Sequence, residues 1–287
     1  MIIFFQSGGL GNQLFQYSCF RKYFPKHKLV FFGFQELHKT FDNTLATFFF
    51  LDIKKFNNSL KFLLTRNFFS FLAYIRIIGQ VSELNKNEKY KLIIRNGILF
   101  NVYLAKYVYF QNQECHKELN AIPILKKKFI NLAKNWLKKK GILFDQSRLI
   151  FVHIRRGDYI FFPSAKYPAV LDLIWYKKAM FYMRQKLNKP IFIVMSDDRK
   201  YIYNAFKESG SLIISDNSAE IDLAIMSTCA HGILSPSTYS WWGAYLSKSN
   251  KFDKTSTYFI APKFWAGHRA KKWFPANFFS KWITYLE

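Results

Sequence analysis

The sequence predicts an α/β protein built as two Rossmann-like domains facing across a cleft. Short apolar runs alternate with helix-length segments at both ends of the 287-residue chain. Several of these runs stop abruptly in charged or hydroxyl side chains, where parallel sheets present functional groups. A glycine-rich turn between the first run and the first helix completes a βαβ pattern.

In order, Ile2–Phe5 reads as a strand, residues 6–11 as the turn, residues 12–24 as a helix and Leu29–Phe32 as a second strand. Backbone N–H groups of such a turn approach phosphate closely, and the helix N-terminus adds a favourable dipole. Gly9-Leu10-Gly11 stops short of GxGxxG because position 14 is leucine, so by itself the turn serves equally as a structural one. Residues 34–120 are rich in Phe, Leu, Asn and Lys and place elements only loosely. Phe48, Phe49 and Phe50, with Tyr103, Tyr107, Tyr109 and Phe110, read as core. Pro123 then opens a helix in which Leu125, Phe129, Leu132 and Trp136 recur at spacings of four, three and four, closed by Gly141. The boundary falls between an N-terminal domain, residues 1–145, and a C-terminal domain, residues 146–287.

In the second half, Leu149–Ile154 is a buried strand that ends in Arg155-Arg156-Gly157-Asp158. Adjacent guanidiniums at a strand end call for an anion, and a diphosphate meets the requirement. Leu173, Tyr176, Met180, Met183 and Leu187 form a helix face ended by Pro190. The next strand stops at Ser196-Asp197-Asp198; then come Leu212–Ile214, a helix acidic at Glu220 and Asp222, a strand near residues 232–234, and the segment 235–246. His153, Arg155, Arg156, Asp158, Asp197, Asp198, Ser235, Ser237, Thr238 and Ser240 thus collect at strand ends that converge on one crevice. Two cations suit a diphosphate, hydroxyls at a helix start suit a phosphate oxygen, and a carboxylate suits the N1–H and N2–H₂ edge of guanine. Together they describe a nucleotide-diphosphate donor site. The chain holds no DxD triplet, so arginine takes a metal's task of neutralising the leaving group. Bland alternatives stay open. The arginines serve as ion-paired surface groups, Asp197-Asp198 as a turn and N-cap, His153 as a core histidine, and Trp241 and Trp242 as core.

An apolar fraction of 50% with 21% charged residues is that of a globular chain. The net charge of +25 points to nucleic acid, to an anionic membrane surface or to lysine-rich composition. No nucleic-acid module signature is present, which leaves the membrane surface ahead. Cys19, Cys115 and Cys229 are scattered and odd in number, indicating neither a disulfide framework nor a zinc site and fitting a reducing cytoplasm. The apolar stretch at residues 68–78 is too short to span a bilayer and carries Arg76. The expected location is cytoplasmic, with peripheral contact at the inner membrane.

Four blocks carry a resemblance: Gly8-Gly9-Leu10-Gly11-Asn12-Gln13-Leu14-Phe15-Gln16-Tyr17; His153 to Tyr159; Ser196-Asp197-Asp198; and residues 222–231 followed by Ser237-Thr238-Tyr239-Ser240-Trp241-Trp242-Gly243-Ala244-Tyr245-Leu246. In this order, and with a trailing Ala261-Pro262-Lys263-Phe264-Trp265, they resemble the bacterial α-1,2-fucosyltransferases of glycosyltransferase family 11. The resemblance implies a GT-B fold, GDP-fucose as donor, no obligatory metal or other cofactor, and inversion at the anomeric carbon. It gives the N-terminal domain the acceptor side and the C-terminal domain the GDP-fucose. Arg155 would contact the β-phosphate with His153 and Arg156 in support; Asp222 would read guanine; Ser237 and Thr238 would hold phosphate; Gly11, Asn12 and Gln13 would approach the donor from the other domain. Pro236 stands where the family usually has Asn, which removes an amide contact.

The expected reaction moves L-fucose to the 2-OH of a β-galactoside in a glycan or lipopolysaccharide, with Asp158 as candidate general base. Two rivals stand beside it: a sugar-nucleotide transferase of different linkage, and a basic membrane-surface or nucleic-acid binding protein without catalysis.

Overall fold

Ile2–Phe5 (β1) is buried at every residue, and a strand with no wet face must be covered by layers on both sides. The first such layer follows the turn as α1 (Leu10–Tyr23), which leads into β2 (Leu29–Phe32). The computed structural model describes residues 1–50, 56–86, 89–106, 109–111, 122–142, 146–206, 212–250, 257–264, 271 and 280–287. They divide into two units, Met1–Lys126 and Lys127–Glu287.

The first unit continues with α2 (Gln35–Thr40), β3 (Phe41–Asp42), β4 (Thr47–Phe49), α3 (Phe56–Tyr74), β5 (Ile78–Lys86), β6 (Lys89–Arg95), β7 (Leu99–Ala105) and β8 (Ile124–Leu125). Its six-stranded sheet runs β4-β2-β1-β7-β5-β6 and is parallel except for the β5–β6 hairpin. Pro123 does not open a helix. Ile124 and Leu125 extend to pair with Asp42 and Phe41, the Lys126 N–H donates to the Thr40 carbonyl, and the helix begins four residues later. The aromatic cluster is also wetter than expected. Phe49, on the sheet's edge strand β4, and Phe50, just past it, stand 48% and 47% exposed, whereas Phe110 is fully buried. Cys19, buried in α1, is disulfide-bonded, a pairing that the scattered cysteine spacing does not indicate.

The second unit comprises α4 (Lys127–Lys139), β9 (Leu149–Ile154), α5 (Leu173–Lys186), β10 (Ile191–Ser196), α6 (Arg199–Phe206), β11 (Leu212–Ile214), α7 (Ala219–Thr228), β12 (His231–Ile233), α8 (Thr238–Ser249), β13 (Phe259–Pro262) and β14 (Thr284–Leu286). The division falls before α4, and not at residue 145, because α4 packs on α7 with Phe129, Ala133 and Leu137 buried. Gly141, in the left-handed region at φ +71°, closes that helix.

The second sheet is wholly parallel, in the order β11-β10-β9-β12-β13-β14. Numbered along the chain, that is the 3-2-1-4-5-6 order of a dinucleotide-binding sheet, with its switch point between β9 and β12. Ile150, Val152 and Ile154 of β9 join Tyr176, Met180, Met183, Ile202 and Phe206 in one core layer, so alternation sends Phe151 and His153 to the opposite face.

Candidate active site

β9 ends at the switch point, and the two arginines that follow it take different side-chain partners. Arg156 turns toward α6. Its Nε donates to Asp198 at 3.1 Å, its guanidinium lies 3.5 Å over the Tyr201 ring, and its backbone N–H donates to Asp197 at 2.8 Å. Arg155 has Nη2 2.5 Å from Asp158 and Nη1 3.0 Å from Asp197. Arg155 is thus held by two carboxylates that an incoming anion would have to displace or adjoin. Asp158, 64% exposed, is the looser partner, and Asp197, 26% exposed, the firmer.

Asp198 serves as the N-cap of α6, accepting from the Tyr201 N–H at 3.0 Å. The capping reading therefore holds for Asp198, while Asp197 acts on the arginines. Gly157 leaves room for this arrangement: a Cβ there would lie 2.5 Å from the Asp197 Oδ2 that holds Arg155.

His153 and Ser235 bridge the switch point, Nδ1 to Oγ at 2.7 Å. Burial, aided by the positive charge of Arg155, pushes the imidazole down to about 3, so it is neutral at working pH. Ser235 begins a three-residue turn around Pro236, closed by the Ser237 N–H donating to the Ser235 carbonyl at 2.7 Å. The fixed φ of proline suits this turn. Ser237 is then the N-cap of α8, its side chain accepting from the Tyr239 N–H at 3.3 Å, and Ser240 donates to the carbonyls of Ser235 and Ser237. The first-turn N–H groups of α8, beginning at Thr238, have no helical acceptors of their own.

Asp222 lies in the first turn of α7, only 8% exposed. Ser215, just past β11, donates to its Oδ1 at 2.5 Å and is held by the Asn217 side-chain amide at 3.0 Å. Among the described residues no donor reaches Asp222 Oδ2. Burial outweighs the Ser215 hydrogen bond and raises this carboxyl to about 7.

The family model described as Glycosyl transferase family 11 matches residues 103–286, which include every one of these side chains. The chain belongs to glycosyl transferase family 11. Among its relatives, the "O-antigen biosynthesis glycosyltransferase WbnK" of Escherichia coli is 29% identical, over 93% of this chain and 95% of the relative. The "Alpha-1,2-colitosyltransferase" of Escherichia coli is 28% identical over 90% of each. The crystal structure of a glycosyl transferase family 9 protein from Veillonella parvula superposes with TM-score 0.53 at 14% identity, covering 94% of this chain and 84% of that one. The fold of this family 11 chain is α/β, of the GT-B type.

The first unit of the family 11 chain holds the other predicted residues. Gly8 adopts φ +80°, a conformation that suits glycine, and any Cβ there would strike Asn12. Gln13, fully buried, accepts from the Leu37 N–H at 3.0 Å and donates to Glu36 at 3.5 Å. Gln16 donates to the Ser7 carbonyl at 3.0 Å. Gly11 is buried as well. Only Asn12 of the predicted trio is partly open, with Oδ1 accepting from Gln111 at 2.8 Å.

The sequence reading missed Ser215, Asn217 and Tyr239. Ser215 carries the same strand-end signal as Ser235 and is legible by that rule. Tyr239 carries none. Its hydroxyl donates to the Ala219 carbonyl, tying the start of α8 to the start of α7, and its ring lies 5.3 Å from that of His153. Trp241 and Trp242 are core, 1% and 0% exposed.

Proposed function

We propose that this chain transfers L-fucose from GDP-β-L-fucose to the 2-OH of a β-galactoside in a surface glycan, forming an α-1,2 linkage with inversion. The observation that carries the reading is the family match over residues 103–286, together with Arg155 set among polar strand ends at the switch point. In the reaction the acceptor oxygen bonds to the anomeric carbon as that carbon's bond to the β-phosphate oxygen breaks. The hydroxyl proton passes to a base, and GDP leaves with the bonding electron pair.

Arg155 is the group assigned to the departing diphosphate, with Ser237, Thr238 and the α8 N-terminus on the phosphate oxygens. Asp222 Oδ2 is assigned to guanine. His153, neutral and bonded to Ser235, serves as a positioning residue that fixes the Ser235–Ser237 turn. Arg156 supports the same corner through Asp197 and Asp198. Gln13 and Gly11 shape the N-terminal turn, leaving Asn12 to meet a ligand. When a diphosphate takes the place of Asp158 on Arg155, the freed carboxylate becomes available as the base, so donor binding and base release are one exchange. No step in this reading calls for a metal or other cofactor. The cytoplasm, where GDP-sugars are made, is the proposed location.

An assay with GDP-fucose and lactose or N-acetyllactosamine, with NMR of the product linkage, tests the proposal. An α-1,2 product supports it, and no transfer to any β-galactoside defeats it. A second reading keeps the linkage and changes the sugar. It is favoured by the relative named as an α-1,2-colitosyltransferase, which matches the chain over as much of its own length as of this one. GDP-fucose against GDP-colitose in competition separates the two.

A further inference from the structure

We propose that the outward face of α3 and the adjoining β6–β7 turn form a docking surface for an anionic lipid bilayer. The helix is apolar on two sides. Phe62, Phe69, Leu72 and Ala73 pack into the core against Ile3, Phe5, Val30 and Leu104 of the first sheet, which fixes the helix's rotation about its axis. Leu60, Leu64, Phe68, Phe71 and Ile75, at spacings of four, four, three and four, therefore form a stripe on the opposite side. They are 41% to 58% exposed, with Leu64 at 58% and Phe68 and Phe71 at 56% each.

The stripe does not end with the helix. The Ile98 and Leu99 N–H groups donate to the carbonyls of Arg76 and Ile77, both at 2.8 Å, which sets the start of β7 beside the helix's C-terminal end. Ile98 and Phe100 there are 72% and 80% exposed. An apolar surface of this extent in water marks a contact with something else.

Charge decides what that something is. Residues 53–82 contain no aspartate or glutamate but five basic residues, of which Lys61 and Arg76 are exposed; Arg95, at the end of β6, adds a third exposed cation. An apolar stripe bordered by cations is the pattern of a helix lying in a lipid headgroup layer, its rings below the phosphates and its basic groups at them. A second copy of the chain is disfavoured, because two molecules of net charge +25 would bring like-charged faces together. Nucleic acid would use the cations and leave the stripe wet. The helix does not cross the bilayer: no described helix is long and apolar enough, and one side of α3 is committed to the sheet.

The test is flotation of the full chain with phosphatidylcholine vesicles with and without phosphatidylglycerol. The expected result is binding to the phosphatidylglycerol vesicles, weakened at least about tenfold by Leu64→Ser/Phe68→Ser/Phe71→Ser and by the independent variant Lys61→Glu/Arg76→Glu. Thermal midpoint and GDP binding, read on both variants, verify the fold and are expected to match the parent chain, so failure of this inference stays distinct from failure of the donor-site reading. Three results overturn it: no flotation of the parent chain, unchanged flotation of both variants, or a parent that self-associates in sedimentation velocity and loses that association, not lipid binding, in the serine variant.

Discussion

Arg155 and Arg156 are neighbours with opposite employment. Arg156 is spent on Asp198, Tyr201 and, through its backbone, Asp197, whereas Arg155 stands between Asp158 and Asp197. Arg155→Ala is expected to lower kcat by about 10² to 10³, the range seen when one donor to a developing negative charge is removed. Arg156→Ala is expected to cost thermal stability before it costs donor affinity. Asp158→Asn releases one partner of Arg155, so GDP should bind a few-fold tighter while turnover falls; calorimetry beside initial rates reads both, and weaker GDP binding would refute the exchange. Asp222, raised to about 7, must be ionised to accept from guanine. GDP affinity is therefore expected to fall about tenfold from pH 8 to pH 6 as the carboxyl takes a proton. Stability runs the other way. A folded-state value above the unfolded one contributes stability below about pH 4, and this is lost as pH rises through 7. Asp222→Asn should accordingly gain in urea midpoint over the parent at pH 8 and show little gain at pH 4.

Among elements, β9 and its successors were legible because a strand buried on both faces reads as a nearly continuous apolar run, interrupted in β9 by His153. The division between the two arginines was not legible, because both follow the last strand residue, Ile154, where alternation no longer applies. The α3, β5 and β6 region was opaque for a physical reason: a helix apolar on both sides has no clean 3.6 period, and α3 is such a helix. Gln13 and Gln16 were likewise unreadable as turn supports, since nothing local shows that their amides bond backbone of the turn and of α2. The Ser235–Ser237 turn yields an element-scale prediction. Pro236→Asn should lower stability by about 0.4–1 kcal/mol through the freer unfolded chain. It should alter KM for the donor more than kcat, because the turn sets Ser237; a kcat effect with unchanged KM would contradict that placement.

At the scale of the molecule, the order of the second sheet sets β10, β9 and β12 side by side and so brings the residues that follow them to one edge of that sheet, whereas the partners each of those side chains takes were not legible in the sequence. By packing, α4 opens the second unit, where it lies against α7. GDP at a hundred times its Kd should stabilise the chain by about 2.7 kcal/mol, seen as a rise of several degrees in the thermal midpoint. EDTA should leave initial rates unchanged; loss of activity restored by a divalent ion would overturn the assignment of the diphosphate to Arg155.

The bond from the Tyr239 hydroxyl to the Ala219 carbonyl has an evolutionary reading. It ties the start of α8 to the start of α7, so that the two helices proposed to hold the phosphates and the guanine would move as one clamp. A lineage that keeps the clamp is free to experiment with the sugar and its recipient. New specificities on this scaffold should then arise from substitutions outside the starts of these two helices.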